Sequence, residues 1–154
     1  MHLYLVQHAE ASREEEDPSR GLTDKGVRDI GRTAVFAAKL PVRLKQILHS
    51  GKKRALQTAE ILGEYLVPEE GISETSGLSP MDDPQIWAER ISAIGDNIML
   101  VGHLPHLSRF ASLLLCGDKN RRLLDFEMGG IVCLRREGDC NWTLDWMIVP
   151  EVIN

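Results

Sequence analysis

Apolar and polar residues follow one another in blocks that predict strands and helices in turn along the chain. Short apolar runs at residues 3–6, 46–49 and 97–101 end in polar residues and predict buried strands, and residues 72–74 predict a weaker one. Between these runs apolar residues recur three and four positions apart, which is typical of amphipathic helices. Four helices are therefore expected, at about residues 24–40, 52–65, 84–94 and 107–115. Thr23 is the expected N-cap of the first, Pro41 its end, and Val27 and Val35 are among its core-facing residues. Gly117 is expected to stop the last helix.

The last part of the chain has a different pattern. Residues 130–134 and 142–147 alternate as strands around a Gly138-Asp139 turn, which predicts a hairpin at the edge of a sheet. Alternating strands and helices elsewhere predict an α/β fold, a three-layer α/β/α sandwich whose central sheet is mostly parallel with an antiparallel edge. There is no internal repeat and no linker, so one domain is expected over residues 1–154.

Composition narrows the class of protein. The chain has 18 basic and 23 acidic residues, and its net charge of −5 argues against a nucleic-acid or anionic-membrane surface. The three cysteines, Cys116, Cys133 and Cys140, have no CxxC spacing, so neither a disulfide framework nor a zinc knuckle is expected. No apolar stretch approaches the ~18–20 residues of a membrane span, and the first residues lack a signal-peptide pattern. We expect a cytoplasmic monomer.

Candidate chemistry gathers at the predicted strand ends. Gln7-His8 follows the first strand, Ser50 with Arg54 the second, and Gly102-His103 the central one. In open α/β sheets ligands bind beyond the carboxyl ends of the strands. Two imidazoles and a guanidinium there suit a phosphoryl group, with one neutral imidazole as the nucleophile and the cations on the oxygens. A helix opening at Leu104 would direct free backbone N–H groups at the same anion.

Each of these residues also has a structural interpretation. A single histidine at a strand end, such as His8, is more often structural, and Arg54 beside Lys52 and Lys53 is more often part of a solvated basic face. The pair His103 and His106 is compatible with half of a metal site or with helix capping. Their joint placement at three strand ends favours the phosphoryl site.

Four sequence blocks, in order between residues 3 and about 110, resemble the histidine phosphatase (phosphoglycerate-mutase-like) superfamily. They are similar to its Arg-His-Gly signature, its Leu-Thr-x-x-Gly helix start, its Ser-x-x-x-Arg-Ala-x-Gln-Thr-Ala block and its Gly-His-x-Pro motif. The short SixA-type phosphohistidine phosphatases, which also end in two strands, are the branch that the chain resembles most. The blocks are Val6-Gln7-His8-Ala9-Glu10-Ala11, Leu22-Thr23-Asp24-Lys25-Gly26, Ser50-Gly51-Lys52-Lys53-Arg54-Ala55-Leu56-Gln57-Thr58-Ala59 and Val101-Gly102-His103-Leu104-Pro105.

The resemblance implies a phosphoglycerate-mutase-like fold and a metal-independent phosphatase without a cofactor. It implies that His8 is the nucleophile that is transiently phosphorylated, that Arg54 clamps the phosphate, and that His103 hydrogen-bonds it and stabilises the transition state. The implied substrate is a phosphohistidine on a partner protein.

Further residues have lesser roles in this interpretation. Gln7, Leu104 and Glu10 are expected to contact the substrate. Ser50 and Thr58 are expected to hold the loop and the helix in place rather than to touch it.

The chain departs from the family motif immediately before the nucleophile. Gln7 stands where the motif has arginine, and an amide brings neither the charge nor the bidentate geometry of a guanidinium. Losing a charge-assisted contact costs about 1.5–3 kcal/mol, which predicts slower catalysis rather than none. Arg13, Arg20 and His106 are candidates to compensate. Ala9, in place of the usual glycine, adds only a methyl group.

The sequence does not single out a general acid. Glu10, Asp82 and Asp83 are candidates, although exposed loop carboxylates usually serve solubility. A phosphohistidine substrate needs less acid help, because its imidazole leaving group can depart already protonated. The missing acid therefore favours a P–N over a P–O substrate.

Other functions stay open at this point. A phosphate-binding module without catalysis, weakened by Gln7, is one, and a phosphomonoesterase on small metabolites is another. A metal-dependent hydrolase built from His8, His103, His106 and Glu10 lacks ordinary ligand spacing. A mutase would need more chain to enclose an intermediate.

Overall fold

A computed structural model describes residues 1–153, which form six strands, four α-helices and a terminal 3₁₀ turn. In chain order the elements are β1 (His2–Gln7), α1 (Asp24–Ala37), β2 (Gln46–His49), α2 (Lys53–Leu66), β3 (Ile72–Glu74), α3 (Pro84–Ser92), β4 (Ile98–Gly102), α4 (His106–Cys116), β5 (Ile131–Glu137), β6 (Asn141–Ile148) and the 3₁₀ turn Pro150–Val152.

The strands form one sheet in the order β3-β2-β4-β1-β5-β6. The first four of these are parallel, whereas β5 pairs antiparallel with β1 and β6 antiparallel with β5. The predicted mostly parallel sheet with an antiparallel edge hairpin is confirmed. The order also makes β2, β4 and β1 neighbours, which brings their carboxyl ends to one edge.

Both faces of the sheet are covered. Leu3 and Leu5 point to one face and Tyr4 and Val6 to the other, as the two-residue period of a strand requires, and all four are buried. Helices α1 and α2 pack on the face of Tyr4, and α3 and α4 pack on the face of Leu5. The predicted three-layer α/β/α sandwich is confirmed.

Helix α1 differs in part from its prediction. Its N-cap is Thr23, as expected, with the hydroxyl accepting the Gly26 N–H, but the helix ends at Ala37 rather than continuing towards Pro41. Its buried stripe includes Ile30, Ala34 and Ala37, so Val27 and Val35, predicted to face the core, are 47% and 41% exposed. One helix buries only one stripe, and these two valines lie beside it.

Two expectations from composition concern membrane spans and thiols. Within residues 1–153 no helix combines the length and apolarity that crossing a bilayer requires. The three cysteines are unpaired thiols, Cys133 buried and Cys116 and Cys140 exposed.

Candidate active site

The carboxyl ends of three adjacent parallel strands carry the predicted chemistry. Gln7 of β1 lies opposite Gly102 of β4, and the next residue, His8, donates its backbone N–H to the Gly102 carbonyl at 3.0 Å. The rings of His8 and His103 are 5.1 Å apart between centroids. The structure therefore brings together two imidazoles that are 95 positions apart in the sequence, at the sheet edge where ligands bind in α/β folds.

His8 is held in one tautomer. Its Nδ1 lies 2.7 Å from the carbonyl oxygen of Ala9, which can only accept, so Nδ1 carries the proton and Nε2 presents a lone pair. The side chain is buried, and burial lowers the pKa of His8 to about 4 despite the Ala9 hydrogen bond. The positive charges of Arg54 and Arg20 lower this pKa further. His8 is therefore neutral at pH 7.

His103 is buried beside it and hydrogen-bonded to a serine. Its Nε2 lies 2.6 Å from the Ser50 Oγ, and burial, with the neighbouring His8 and Arg54, lowers the pKa of His103 to about 3. Its Nδ1 is buried and has no partner among residues 1–153. The sequence interpretation expected Ser50 to hold the loop, and its hydroxyl does accept the Lys52 N–H at 3.4 Å, but its bond to a site imidazole was not foreseen. Its position at a strand end was the available signal.

Arg54 lies in the first turn of α2, half-buried, with its Nε buried and unpartnered among the described residues. Burial, with the nearby Arg20, lowers the pKa of Arg54. Thr58, one turn later, accepts the Ala9 N–H at 3.0 Å and donates to the Arg54 carbonyl at 2.7 Å. This single hydroxyl fixes the start of α2 to the residue after His8, which is the positioning role that the sequence predicts for Thr58.

Gln7 occupies the end of β1, and its Oε1 is buried without a partner among residues 1–153. Of the three candidate compensators, Arg13 is 76% exposed and pairs with Glu16, so it does not enter the site. His106 is fully buried against Phe110, and neither ring nitrogen has a partner in the described chain. Arg20 is the candidate whose charge acts on both His8 and Arg54.

The three carboxylates considered as general acids have structural partners. Glu10 accepts the hydroxyl of the α1 cap, Thr23, at 2.8 Å. Asp82 accepts the backbone N–H of Ser79 at 2.9 Å, and Asp83 caps α3 through the Gln85 N–H at 3.0 Å. Glu10, predicted to contact substrate, thus holds the loop onto α1.

The helix after the second histidine begins one residue before its predicted range of 107–115 and two residues after the opening expected at Leu104. Helix α4 starts at His106, and Pro105 before it has no N–H to offer an anion. The Leu107 N–H donates to the His103 carbonyl at 2.9 Å, so it too is not free to bind an anion. Leu104 lies 37% exposed next to His103, so it borders the site, and the predicted row of free N–H groups is interrupted at Pro105 and Leu107.

The site histidines do not form part of a three-ligand cluster. Within residues 1–153, the one group of three metal-ligand side chains close enough to share an ion is His2, Cys133 and Asp145. It lies towards the opposite end of β1 from His8. The geometry thus gives no support to the metal-dependent alternative built on His8 and His103.

A neutral His8, a second imidazole and a guanidinium thus lie at one edge of the sheet, which is the arrangement that the sequence analysis expects of a phosphoryl-binding site. The fold matches the solved structure of the protein histidine phosphatase SixA complexed with tungstate, with a TM-score of 0.86 and 21% identity over 97% of each chain. It also matches a structure from Agrobacterium tumefaciens described as the phosphohistidine phosphatase SixA, with a TM-score of 0.79 and 25% identity over 97% of each chain.

An uncharacterized protein of Picosynechococcus sp. strain PCC 7002 is 34% identical over 143 residues, which are 88% of this chain and 85% of that protein. No family model matches the chain. The chain belongs to one family with the Picosynechococcus protein. Its fold is that of the histidine phosphatase superfamily, and the structural neighbours support a phosphatase of that superfamily.

Proposed function

We propose that the protein is a metal-independent phosphohistidine phosphatase that acts on a partner protein through a phosphorylated His8. The observation that carries this proposal is the state of His8. The Ala9 carbonyl takes up Nδ1, burial lowers the pKa of the ring to about 4, and Nε2 is left as a neutral nucleophile at pH 7.

The neighbouring groups supply the rest of the chemistry. The Nε2 lone pair of His8 attacks phosphorus while the bond from phosphorus to the substrate imidazole breaks, and its electron pair leaves with that imidazole. Arg54 and His103 face the equatorial oxygens, where hydrogen bonds and charge stabilise the transition state. Water then attacks the phosphorus on His8, the P–Nε2 bond breaks with its electron pair returning to Nε2, and the proton lost by the water passes to solvent. This releases phosphate and restores the neutral imidazole.

Two features support a phosphohistidine rather than a phosphate ester. Glu10, Asp82 and Asp83 are engaged elsewhere, and an imidazole leaving group that departs protonated needs no carboxylic acid. The connection from β3 to α3 is residues 75–83, nine residues without a helix to cover the site. A short connection of this kind favours a phosphorylated residue on a protein surface over an enclosed metabolite.

The proposal is tested by following phosphate release from a phosphohistidine-carrying protein, from phosphoramidate and from a phosphomonoester side by side, with chelator present. We expect turnover of the P–N substrates and a phosphoenzyme that is labile to acid and stable to base. His8→Ala should lose both. His2→Ala, which changes a histidine on the same strand away from the site, is the matched control and should retain both.

The outcomes separate the alternatives. Full activity of His8→Ala would overturn the mechanism. Faster turnover of the phosphomonoester would assign the enzyme to small metabolites or other P–O substrates. Phosphate binding that raises the melting temperature without turnover would identify a binding module.

A further inference from the structure

The loop after β1 delivers Arg20 to the start of α2. The Ala11–Leu22 bridge closes this loop, and the Ser12 N–H donates to the Gly21 carbonyl at 2.8 Å. On the far side, the Leu22 N–H donates to Gln57 Oε1 at 2.8 Å, one turn beyond Arg54. Arg20 is thereby placed between the segment that follows His8 and the helix that carries Arg54.

The packing of the loop on α2 is close on both sides of Arg20. Lys53 Nζ donates to Ser19 Oγ at 3.2 Å, and a Cβ added at Gly21 would lie 3.2 Å from Lys53 Cε. Asp17 stabilises the turn, because its carboxylate accepts hydrogen bonds from the backbone N–H groups of Ser19 and Gly21.

The guanidinium of Arg20 is oriented but has no counter-charge. Its Nε donates to the Ser12 carbonyl at 3.1 Å, and no carboxylate of residues 1–153 lies within ion-pair distance of it. The side chain is half-buried, and its charge lowers the pKa values of both His8 and Arg54. Two neighbouring guanidiniums without a carboxylate between them repel one another, and an anion bound between them would relieve that repulsion.

The backbone at Arg20 is strained. Its φ is +52°, in the left-handed region that favours glycine and costs an arginine about 1–2 kcal/mol. Strain of this kind persists where the surrounding structure imposes it, and it gathers at functional sites. A glycine would satisfy this backbone conformation better. The Arg20 side chain makes one hydrogen bond within residues 1–153, from Nε to the Ser12 carbonyl, so its terminal nitrogens are not needed to hold the loop.

We infer that Arg20 is the second phosphate-binding guanidinium of the site and supplies, from the loop, the charge that Gln7 lacks at the end of β1. This inference rests on the proposed function for its substrate, but its test uses the binding of a simple anion. Gln7 then has an uncharged amide beside the anion, with its buried Oε1 unpartnered, and the phosphate is held by Arg54 from α2 and Arg20 from the loop.

The test is calorimetric titration of inorganic phosphate into the parent protein and its variants. Arg20→Gly should weaken phosphate binding roughly 10- to 100-fold, the effect of losing a charge-assisted contact. Its melting temperature should change little, because relief of the backbone strain offsets the loss of the hydrogen bond to the Ser12 carbonyl. Arg20→Lys keeps the charge without the bidentate geometry of a guanidinium, so its phosphate affinity should lie between those of the parent and Arg20→Gly. Arg13→Ala in the same loop, whose charge is already paired with Glu16, should bind as the parent does.

A double-mutant cycle tests whether the two positions substitute for one another. Gln7→Arg should restore at least 10-fold of affinity in the Arg20→Gly background and much less in the parent, because the parent site already holds two guanidiniums. Equal gains in both backgrounds would show independent positions and overturn the inference.

Failure of this inference and failure of the proposed function look different. Equal phosphate affinity of Arg20→Gly and Arg13→Ala, both folded, would remove Arg20 from the site and leave the His8 chemistry intact. Loss of phosphate affinity in Arg20→Gly without any phosphohistidine turnover in the parent would keep the binding role and remove the enzyme.

Discussion

The Nδ1 of His8 lies 2.7 Å from the carbonyl oxygen of Ala9, the next residue in the chain. A carbonyl only accepts, so this contact decides which ring nitrogen carries the proton. It also turns Nε2 away from the backbone. The residue that follows the nucleophile therefore selects the reactive atom.

The first prediction concerns that atom. We expect the trapped phosphoenzyme to carry phosphate on Nε2 of His8, since Nδ1 is committed to Ala9. Nitrogen-resolved NMR of the phosphorylated protein with labelled histidine measures the position. Phosphate on Nδ1 would contradict the tautomer that we derive.

The second prediction concerns the hydroxyl that joins α2 to the nucleophile. Thr58→Val keeps the shape but leaves the buried Ala9 N–H without an acceptor, which costs about 1–3 kcal/mol of unfolding free energy. Because Ala9 and Arg54 lose their common anchor, kcat should fall as well. Thr58→Ser retains the hydroxyl and is the matched control, and denaturant unfolding and turnover are the measurements. Equal behaviour of the two variants would contradict the anchoring role.

The third prediction compares two glycines of α1. A Cβ at Gly26 would lie 2.1 Å from the Glu10 carbonyl oxygen, whereas a Cβ at Gly31 meets nothing within 4 Å. Gly26→Ala should therefore destabilise the protein by at least about 1–3 kcal/mol. Gly31→Ala should stabilise it by about 0.5–1 kcal/mol, since alanine is the better helix former. Thermal unfolding measures both, and a shift of the same sign in the two variants would contradict this account.

The fourth prediction is a loss of stability in mild acid. The pKa values of His8, His103 and His106 are lowered to about 4, 3 and 4, mainly by burial, whereas an unfolded histidine titrates near 6.5. Between these values the unfolded chain binds more protons than the folded one. The free energy of unfolding is therefore undiminished above about pH 6.5. It falls as the pH drops towards 4, by about 1.4 kcal/mol per pH unit for each histidine.

The variant His106→Leu isolates one of these groups. It removes a buried ring whose two nitrogens are unpartnered within residues 1–153, so stability at pH 7 should hold or increase. Between pH 6 and 5 the unfolding free energy should depend less steeply on pH, by the amount that corresponds to about one proton taken up on unfolding. Urea unfolding at several pH values measures the slope, and an unchanged slope would show that His106 binds its proton equally in the folded and unfolded states.

Much of the site could be predicted from the sequence because strand ends are local signals. His8, Ser50 and His103 each follow an apolar run, and parallel strands gather their ends at one edge. Thr23 as a helix cap and Gly117 as a left-handed terminator were likewise local, and both predictions are confirmed.

Other features had no local signal. The bond between Ser50 and His103 depends on β4 lying beside β2, and the placement of Arg20 depends on a loop that closes on α2. The charged segment around Arg20 has the composition of a solvated loop, and most of it is one. The hydrogen bonds of the Glu10, Asp82 and Asp83 carboxylates were likewise not visible in the sequence.

By itself the sequence determined which segments become strands and helices, the layered α/β class, and which imidazoles and guanidinium stand at strand ends. Apolar periodicity and capping residues act over a few positions, so they are visible in one dimension. The tertiary structure alone decided the tautomer and neutral state of His8, the serine on His103 and the position of Arg20. Proton affinity and charge pairing depend on burial and on distances between segments far apart in the chain, and both arise only when the sheet assembles.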